Sequence, residues 1–345
     1  MSQNQFTLIP TRNVGPIKIS GEILNEQVTV PMATFEKPLW YSASRGASVS
    51  RNIPAGINLT LVKENMTRSC VMEGGSASEV IRIHHQLQEK SVEIAELIAK
   101  TSRFAKFESL HTEPVGNLLY LRLAINPGQA SGHNMVTKAA DMLISWLQTQ
   151  YKNLKYVSIS ANFCTDKKTS AVNGIMGRGK HIIAETVIPY SLCKKLLHVT
   201  PEQLVNLHIK KNLIGSILAG SVRSANSHVA NTLLACYLAT GQDAANIVEG
   251  SQAIIHTELQ NDDLYFSLSM PNIIVGTIGN GKDSEISMQH LKQLKCIDTE
   301  QASVRLAAII TATALCTEIS CIADQCIQGK LMTGHLAIER KITNV

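Results

Sequence analysis

Four polar clusters interrupt apolar or glycine-rich stretches of the 345-residue sequence and contain residue types suited to acid–base and anion chemistry. They are PMATFEKPLWYSASRG at 31–46, SANFCTDKK at 160–168, a small-residue segment from KKNLIGS to GQD at 210–243, and GKLMTGHLAIERK at 329–341. Charged groups in such surroundings must be paired, neutralised or functional. Taken one at a time, each cluster also fits an ordinary structural interpretation: a surface glutamate, a solvated charge run, close helix packing and a structural histidine.

The third cluster is unusual in its composition. Asn226, His228 and Asn231 lie among small and apolar residues, and Asp243 follows Gly241. A segment rich in Gly, Ala and Ser permits close approach of its backbone to another helix or to a ligand. The sequence alone leaves both interpretations open.

Standard phosphate-binding loops do not occur in the sequence. No G-x-G-x-x-G follows a first strand, and there is no G-x-x-x-x-G-K-[ST] loop. The run GTIGNG at 276–281 follows a predicted strand but has the reverse spacing, and GRGK at 177–180 is only a fragment. The sequence therefore argues against a standard Rossmann domain and predicts that any nucleotide site is of another type.

Composition and charge argue against several classes of protein. Hydrophobic residues make up 44% and charged residues 17% of the chain, as in ordinary globular proteins. The net charge of +5 is not concentrated in a Lys/Arg tract with interleaved aromatics, so no nucleic-acid partner is expected. The eight cysteines form no C-x-x-C pair at zinc spacing, so no metal site is expected and the thiols are predicted to be free in a reducing cytosol.

The sequence shows no recognisable targeting or membrane segment. MSQNQFTLIP lacks the basic start and the apolar run of a signal peptide. The best membrane candidate, at 306–316, is too short to span a bilayer and follows Arg305, so it is predicted to be a buried helix. These features predict a soluble, cytoplasmic protein with no membrane partner.

Hydrophobic periodicity predicts a compact α+β unit within a mostly helical chain. Strands are predicted at 27–34, 118–125, 156–160 and 264–275, and helices at 76–106, 134–151 and 300–326. Ser76 or Ser78 can cap the first of these helices. The block at 70–157 thus alternates helix and strand, whereas the remainder is expected to be mostly helical.

Together, the clusters resemble the 3-hydroxy-3-methylglutaryl-coenzyme A (HMG-CoA) reductase family in order and spacing. The matching segments are PMATFE followed by SxSRG, TSRF, SGHNM, NFCTDKK with GRGK, KKNLIGS, NSHVAN, GQDAAN, LYFSLSMPNIIVGTIGNG and TGHL. The resemblance extends from about residue 15 to residue 340, and GQDAAN and TDKK are its most specific elements. The continuous NFCTDKK segment is more similar to the eukaryotic and archaeal type of the family than to the other bacterial type.

The resemblance implies a set of site residues. The family's catalytic acid, lysine, aspartate and histidine correspond to Glu36, Lys167, Asp243 and His335. Substrate contacts are implied for Arg68, Ser160, Asp166, Lys168, Lys211 and Asn231, and for Arg45 near the CoA phosphates. NADPH contacts are implied for Ser102, Arg103 and Asn134, and no metal is implied.

These residue types suit the four-electron reduction of HMG-CoA to mevalonate and CoA, which the family performs with two NADPH. Negative charge develops on the carbonyl oxygen in each reduction, and the Lys167 ammonium can stabilise it while Asp243 holds the lysine in place. His335 can protonate the departing CoA thiolate, and Glu36 can donate a proton to the aldehyde oxygen. Arg103 favours the ribose 2′-phosphate of NADPH over the hydroxyl of NADH.

The resemblance also implies an α+β architecture. A large, mostly helical substrate domain at 1–69 and 158–345 would carry an inserted, small α+β (ferredoxin-like) NADP-binding domain at 70–157. Family members place the active site between two subunits. A homodimer or a higher even oligomer, with the active site at the subunit interface, is therefore expected.

The chain departs from the family pattern at several positions. Lys37 and Pro38 replace a small flexible pair, Ser44 stands where Asn is usual, and Asn280 replaces a Gly. The cofactor segment reads QASGHNM where the family reads DAMGMNM, so Gln129 replaces an acid. Two alternatives stay open: a related reductase of another branched acyl-CoA, and a non-catalytic homologue.

Overall fold

The computed structural model describes residues 7–279, 281–282 and 284–339, so Asn280 lies outside the described residues. The strands are β1 (Thr11–Ser20), β2 (Glu26–Ala33), β3 (Ile57–Glu73), β4 (Lys106–Val115), β5 (Leu118–Asn126), β6 (Lys155–Ile159), β7 (Gly179–Ile188), β8 (Ile254–Gln260) and β9 (Asp263–Ile273). The α-helices are α1 (Pro38–Asn52), α2 (Ala77–Gln88), α3 (Ser91–Ala99), α4 (His133–Gln150), α5 (Val172–Met176), α6 (Tyr190–Leu192), α7 (Pro201–Leu207), α8 (Ser216–Leu218), α9 (Val229–Ala239), α10 (Ile247–Gly250), α11 (Glu285–Gln293), α12 (Ala302–Gln325) and α13 (Lys330–Glu339). Cys193–Leu197 and His208–Gly215 are π-helical, and Ala244–Asn246 forms a 3-10 turn.

A mixed sheet with the strand order β2-β1-β3-β7-β9-β8 forms the base of the fold. β1 and β3 are parallel, and the other neighbouring strands are antiparallel. Alternate residues along β7 (GKHIIAETVI) are buried, as the two-residue period of a strand with one covered face requires. The buried face packs into a large apolar core that also receives α1, α9 and α12.

β3 belongs to two sheets because it pairs with different strands along its length. Its first half pairs with β7, whereas residues 66–73 pair with β5, and the end of that stretch also pairs with β6. With β4 beside β5, the second sheet is antiparallel and has the order β4-β5-β3-β6. Residues of α2, α3 and α4 pack with this sheet in a separate apolar core that includes Val80, Ile94 and Leu143.

Helix α12 lies at the centre of the large core. Its alanines and threonines let neighbouring elements approach closely, and α1 packs on it at Gly46, where a Cβ would lie 2.0 Å from the Cys316 carbonyl oxygen. By length and composition α12 could cross a membrane, but 94% of its apolar window is buried within the protein. α12 is therefore a core helix of this fold, which confirms the buried helix predicted at 306–316.

The structure confirms several predicted elements and corrects others. The predictions at 27–34, 118–125, 134–151, 156–160, 264–275 and 300–326 correspond to β2, β5, α4, β6, β9 and α12. Ser76 caps α2 by accepting a hydrogen bond from the Glu79 amide. The single helix predicted at 76–106 is wrong, because α2 ends at Gln88, α3 ends at Ala99 and β4 begins at Lys106. β4 was not predicted because its sequence, KFESLHTEPV, is polar, since the strand is half-exposed at the edge of its sheet.

The fold is mixed α/β, with more sheet than the sequence patterns predict. β1, β7, β8 and the first half of β3 bring a mixed sheet into the part of the chain expected to be mostly helical. These strands carry charged or polar residues on an exposed face, and their short alternations do not stand out from the surrounding sequence. This sheet carries two of the predicted site residues, because Glu36 lies shortly after β2 and Arg68 lies within β3.

Candidate active site

A cavity of about 520 Å³, called the large cavity below, is lined by Arg68, Asp166, Lys167 and Asp243. Arg68 lies on β3 where the strand passes from one sheet to the other, and Asp166 and Lys167 lie in the loop after β6. Asp243 lies just before the 3-10 turn. The other lining residues lie at 130–135, 241–246 and 274–282 and include Gly132, Gly241, Gly276 and Gly279 beside the polar residues Asn134 and Asn246.

The loop that carries Lys167 has an unusual backbone. Ser160, Asn162, Thr165 and Lys167 have φ angles of 68°, 59°, 40° and 56°, a region that non-glycine residues occupy only when their surroundings enforce it. The Lys167 backbone amide donates to Oε1 of the fully buried Glu249 at 3.1 Å. The fold therefore holds the lysine in a fixed position at the cavity wall.

Lys167 forms a close ion pair with Asp243. The Nζ–Oδ2 distance is 2.6 Å, and the two side chains are 39% and 46% exposed. Burial opposes ionisation of Asp243, but the hydrogen bonds from Lys167 and from the Ala245 amide outweigh it and lower the pKa of this carboxyl. The pair therefore presents an ammonium group whose counter-ion fixes its position while leaving it accessible from the cavity.

Asp166 is held by cations on one side of the same cavity. Arg178, which is fully buried, donates to its Oδ1 at 2.5 Å, and Arg68 Nη1 lies 3.5 Å from its Oδ2. Burial opposes ionisation of Asp166, but Arg178 outweighs it and lowers the pKa of the carboxyl. Arg68 also donates to Ser160 Oγ at 3.4 Å. Arg68, Ser160 and Asp166 thus form one cluster, and His133 Nε2 lies 3.7 Å from the Asp166 carboxylate.

The residues implied for cofactor binding are only partly brought together. Asn134 lines the large cavity at the beginning of α4. Ser102 and Arg103 lie in the loop after α3 and are not part of its lining; Ser102 Oγ accepts from the Phe104 amide at 3.2 Å, and the Arg103 guanidinium lies 4.6 Å from the centre of the Phe104 ring. Lys168 is exposed, and its Nζ donates to the Asp166 backbone carbonyl at 3.0 Å.

A second cavity of about 360 Å³ contains Glu36, Arg45 and Asn231. Asn231 Nδ2 donates to Glu36 Oε2 at 2.8 Å, which orients the carboxylate. Arg45 is occupied within the chain: its Nη1 lies 2.7 Å from Asp324 Oδ1, its Nε donates to Ser320 Oγ at 2.9 Å, and its Nη2 donates to the Ser320 carbonyl. A phosphate that binds Arg45 must therefore compete with Asp324.

His228 adds a positive charge to the second cavity. Its Nε2 lies 3.2 Å from the Thr317 carbonyl and 3.9 Å from the buried Glu318 carboxylate. Burial opposes its protonation, but contacts with Cys321 and Glu318 outweigh it and raise the pKa of His228 to about 9. The sequence singled out His228 as a polar residue in an apolar segment but gave it no role.

Lys211 lies beside the second cavity on the π-helical stretch His208–Gly215. Its Nζ donates to Asn212 Oδ1 and to Ser227 Oγ, each at 2.9 Å, and Ser227 belongs to the cavity lining. A π-helical turn displaces side chains from ordinary helical positions and is frequent at functional sites. Here it places the lysine against the loop that precedes α9.

Comparison with known proteins identifies the family. The sequence model described as hydroxymethylglutaryl-coenzyme A reductase matches residues 6–340. The chain belongs to this family. It is 35% identical over 98% of its length to a 3-hydroxy-3-methylglutaryl-coenzyme A reductase of Strongylocentrotus purpuratus, and 33% identical over 96% to that of Aeropyrum pernix. It spans 37% of the sea-urchin protein and 79% of the archaeal one.

A solved structure shares the fold at low sequence identity. The class II 3-hydroxy-3-methylglutaryl-CoA reductase of Streptococcus pneumoniae, described as bound to NADPH in open conformations, superposes with a TM-score of 0.73 at 16% identity. The match covers 92% of this chain and 85% of that chain. The mixed α/β fold is thus one that members of the reductase family adopt.

Within this family member, the implied catalytic residues fall into two groups. Lys167 and Asp243 line the large cavity, whereas Glu36 lines the second one. His335 lies in α13, and its side chain is outside the described residues. In the described part of the chain, no three His, Cys, Asp or Glu side chains are arranged to hold a metal ion.

Proposed function

We propose that the protein is an NADPH-dependent HMG-CoA reductase, which converts (S)-HMG-CoA to mevalonate and CoA in isoprenoid biosynthesis in the cytoplasm. The observation that carries the proposal is the 2.6 Å pair between Lys167 and Asp243, in one cavity with Arg68 and Asp166. This arrangement offers one cation to a developing oxyanion and a second cation to an anionic acyl group. Family membership supports the same assignment.

Lys167 stabilises negative charge on the reacting carbonyl oxygen. A fixed ammonium group is effective because it needs no reorganisation when the charge appears. The Glu249 contact to its backbone and the Asp243 contact to its side chain provide that fixation. Glu36, oriented by Asn231, donates a proton to the aldehyde oxygen, and His335 protonates the CoA thiolate.

The acyl group is held by the cluster around Asp166. Arg68 and Lys168 supply positive charge for the distal carboxylate, and Ser160 supplies a hydroxyl beside Arg68. Because Arg178 favours the ionised form of Asp166, this carboxylate accepts a hydrogen bond from a substrate hydroxyl. Lys211, which contacts Ser227 of the second cavity, adds a further cation for the acyl group. Arg45 contacts the CoA phosphates in competition with Asp324.

The chain's residues fit NADPH as the cofactor. NADPH supplies the reducing equivalents when it is bound. The large cavity contains buried polar atoms without hydrogen-bond partners among the described residues, which a bound polar ligand would satisfy. Asn134 lines this cavity, and the exposed Arg103 guanidinium, with Ser102 beside it, is available to the 2′-phosphate.

The proposed domain division follows the two apolar cores. Residues 70–157 form the small NADP-binding domain, and 1–69 with 158–345 form the large substrate domain. The chain order β3-α2-α3-β4-β5-α4-β6 and the sheet order β4-β5-β3-β6 support a ferredoxin-like description of the small domain. β3 crosses the proposed boundary as a continuous strand, so the two domains share a backbone element.

The active site is proposed to lie between two subunits of a homodimer or a higher even oligomer. Glu36 and Lys167 line different cavities of one chain, although the chemistry needs them at one carbonyl group. If the second cavity of one subunit faces the large cavity of its partner, both residues meet at the substrate. A closed, two-fold interface produces this arrangement twice.

The function is tested by following NADPH absorbance with HMG-CoA, and then repeating the assay with NADH. We expect oxidation of NADPH and formation of mevalonate. Arg103→Ala should raise the KM for NADPH by about tenfold or more and leave the KM for NADH nearly unchanged, because only NADPH carries the 2′-phosphate. Equal effects on both cofactors would place Arg103 elsewhere, and no NADPH oxidation with HMG-CoA would contradict the proposed function.

His335→Gln should separate the two halves of the reaction. If His335 protonates the CoA thiolate, the variant loses HMG-CoA reduction by about 10²–10⁴-fold but keeps much of its mevaldehyde reduction. The loss should be smaller at low pH, where solvent protonates the thiolate more readily. Measuring kcat for both substrates beside a melting curve checks this, and parallel losses with a lowered melting temperature would indicate that His335 only packs α13.

A further inference from the structure

Two residues of the large cavity have buried polar atoms that find no hydrogen-bond partner among the described residues. They are His133, through Nε2, and Asn246, through both Nδ2 and Oδ1. Asn246 is only 1% exposed. A buried carboxamide with neither group paired is costly, so such a group in a folded protein calls for an explanation.

Asn246 is held rigidly next to the proposed catalytic pair. It ends the 3-10 turn Ala244–Asn246, and its backbone amide donates to the Asp243 carbonyl at 3.1 Å. The Asp243 side chain caps the same turn by accepting from the Ala245 amide at 3.1 Å. The residue that binds Lys167 therefore also positions Asn246, which belongs to the lining of the same cavity.

The pairing requirement of Asn246 selects a particular ligand group. Its side chain offers a donor and an acceptor side by side in one plane. An ionised carboxylate only accepts and a thioester carbonyl only accepts, so each leaves Oδ1 unpaired; a single hydroxyl cannot serve both atoms in that geometry. A primary carboxamide, with its own coplanar donor and acceptor, pairs with both atoms at once.

We infer that Asn246 recognises the nicotinamide carboxamide of the cofactor. The inference rests on the proposed function, in which only the hydroxymethylglutaryl thioester and the reacting ring of NADPH lie beside the Lys167–Asp243 pair. The former brings carboxylate, hydroxyl and thioester groups, whereas the ring brings a primary carboxamide. Asn246 is not among the residues that the family resemblance implied for NADP. It extends the cofactor site from Asn134 to the wall that carries Lys167 and Asp243.

The test compares two cofactors in binding experiments. The Kd of NADP⁺ and of its 3-acetylpyridine analogue, which keeps the ring carbonyl but replaces the amide nitrogen with a methyl group, is measured by calorimetry. The unchanged protein should bind NADP⁺ several-fold more tightly than the analogue. Asn246→Ala should weaken NADP⁺ binding by about tenfold or more, since two hydrogen bonds are lost, and should bring the two Kd values close together.

His133→Met is the matched control. His133 carries the other unpaired atom of the same cavity, and methionine is the residue that the family motif has there. This variant should keep the preference for NADP⁺ over the analogue. If His133→Met removes the preference for NADP⁺ over the analogue and Asn246→Ala keeps it, the inference is overturned. The carboxamide contact is then assigned to His133.

Thermal stability separates recognition from a structural role. Removing an unpaired buried amide should leave the Tm of ligand-free Asn246→Ala unchanged or raise it. A lowered Tm with an unchanged Kd for NADP⁺ would show that Asn246 is structural and would overturn the inference. If the unchanged protein binds NADP⁺ and reduces HMG-CoA but Asn246→Ala binds both cofactors as before, this inference alone fails; if the unchanged protein does neither, the proposed function fails with it.

Discussion

The Lys167→Ala variant should reduce HMG-CoA about 10²–10³-fold more slowly than the unchanged protein, or more slowly still, because a full charge is removed from a site where oxyanion character develops. The same loss is expected with free mevaldehyde, since both reductions place negative charge on a carbonyl oxygen. Comparison of kcat for the two substrates measures it. The fold should survive, because the Lys167–Asp243 pair is 39% and 46% exposed and exposed pairs contribute little to stability.

Lys295→Ala is a suitable control for the loss of a lysine from an ion pair. Lys295 Nζ lies 2.6 Å from Glu26 Oε2, the same distance as in the Lys167–Asp243 pair, but it belongs to neither cavity lining. Its loss should leave kcat for both substrates unchanged. Near-normal turnover in Lys167→Ala, or an equal loss in Lys295→Ala, would rule out the role proposed for Lys167.

The sequence predicts the elements whose residues repeat a simple pattern. α12 is rich in Ala, Ile and Leu over many turns, and β5 is mostly apolar with Arg122 as its one charged residue, so both are evident from composition. β3 is not evident from composition, because its central residues Lys63, Glu64 and Asn65 are polar. They lie at the point where the strand passes from one sheet to the other. A strand with two sets of partners has no single buried face, and its alternation is therefore broken.

In the candidate site, sequence motifs predicted which residues belong to the site, whereas their distances, burial and neighbours depend on the fold. TDKK and GQDAAN placed Lys167 and Asp243 in one site, and the two side chains do meet. The separation of Glu36 from Lys167 could not be predicted, because sequence spacing does not report which cavity a side chain lines. The unpaired atoms of Asn246 and the raised pKa of His228 depend on burial and neighbours, which only the folded chain defines.

Mixed subunits provide the sharpest test of where the active site lies. Glu36→Gln and Lys167→Ala should each be nearly inactive alone, since each lacks a group that acts on the same oxygen. Co-expressed in equal amounts, they should recover about a quarter of the wild-type activity, because about half of randomly formed dimers are hybrids and each hybrid has one intact site. Turnover per subunit of the co-expressed protein, compared with the two variants measured separately, gives the result.

A second mixture distinguishes an interface site from nonspecific recovery. Lys167→Ala and Asp243→Ala remove two residues that line the same cavity and lie 2.6 Å apart, so they come from one subunit in every arrangement. Hybrids of these two chains leave every site with one of the two residues missing, and no activity should return. Recovery in both mixtures would show that the variants simply stabilise each other. Recovery in neither would mean that Glu36 and Lys167 act within one chain, so that the second cavity and the large cavity of a single subunit must close on the substrate together.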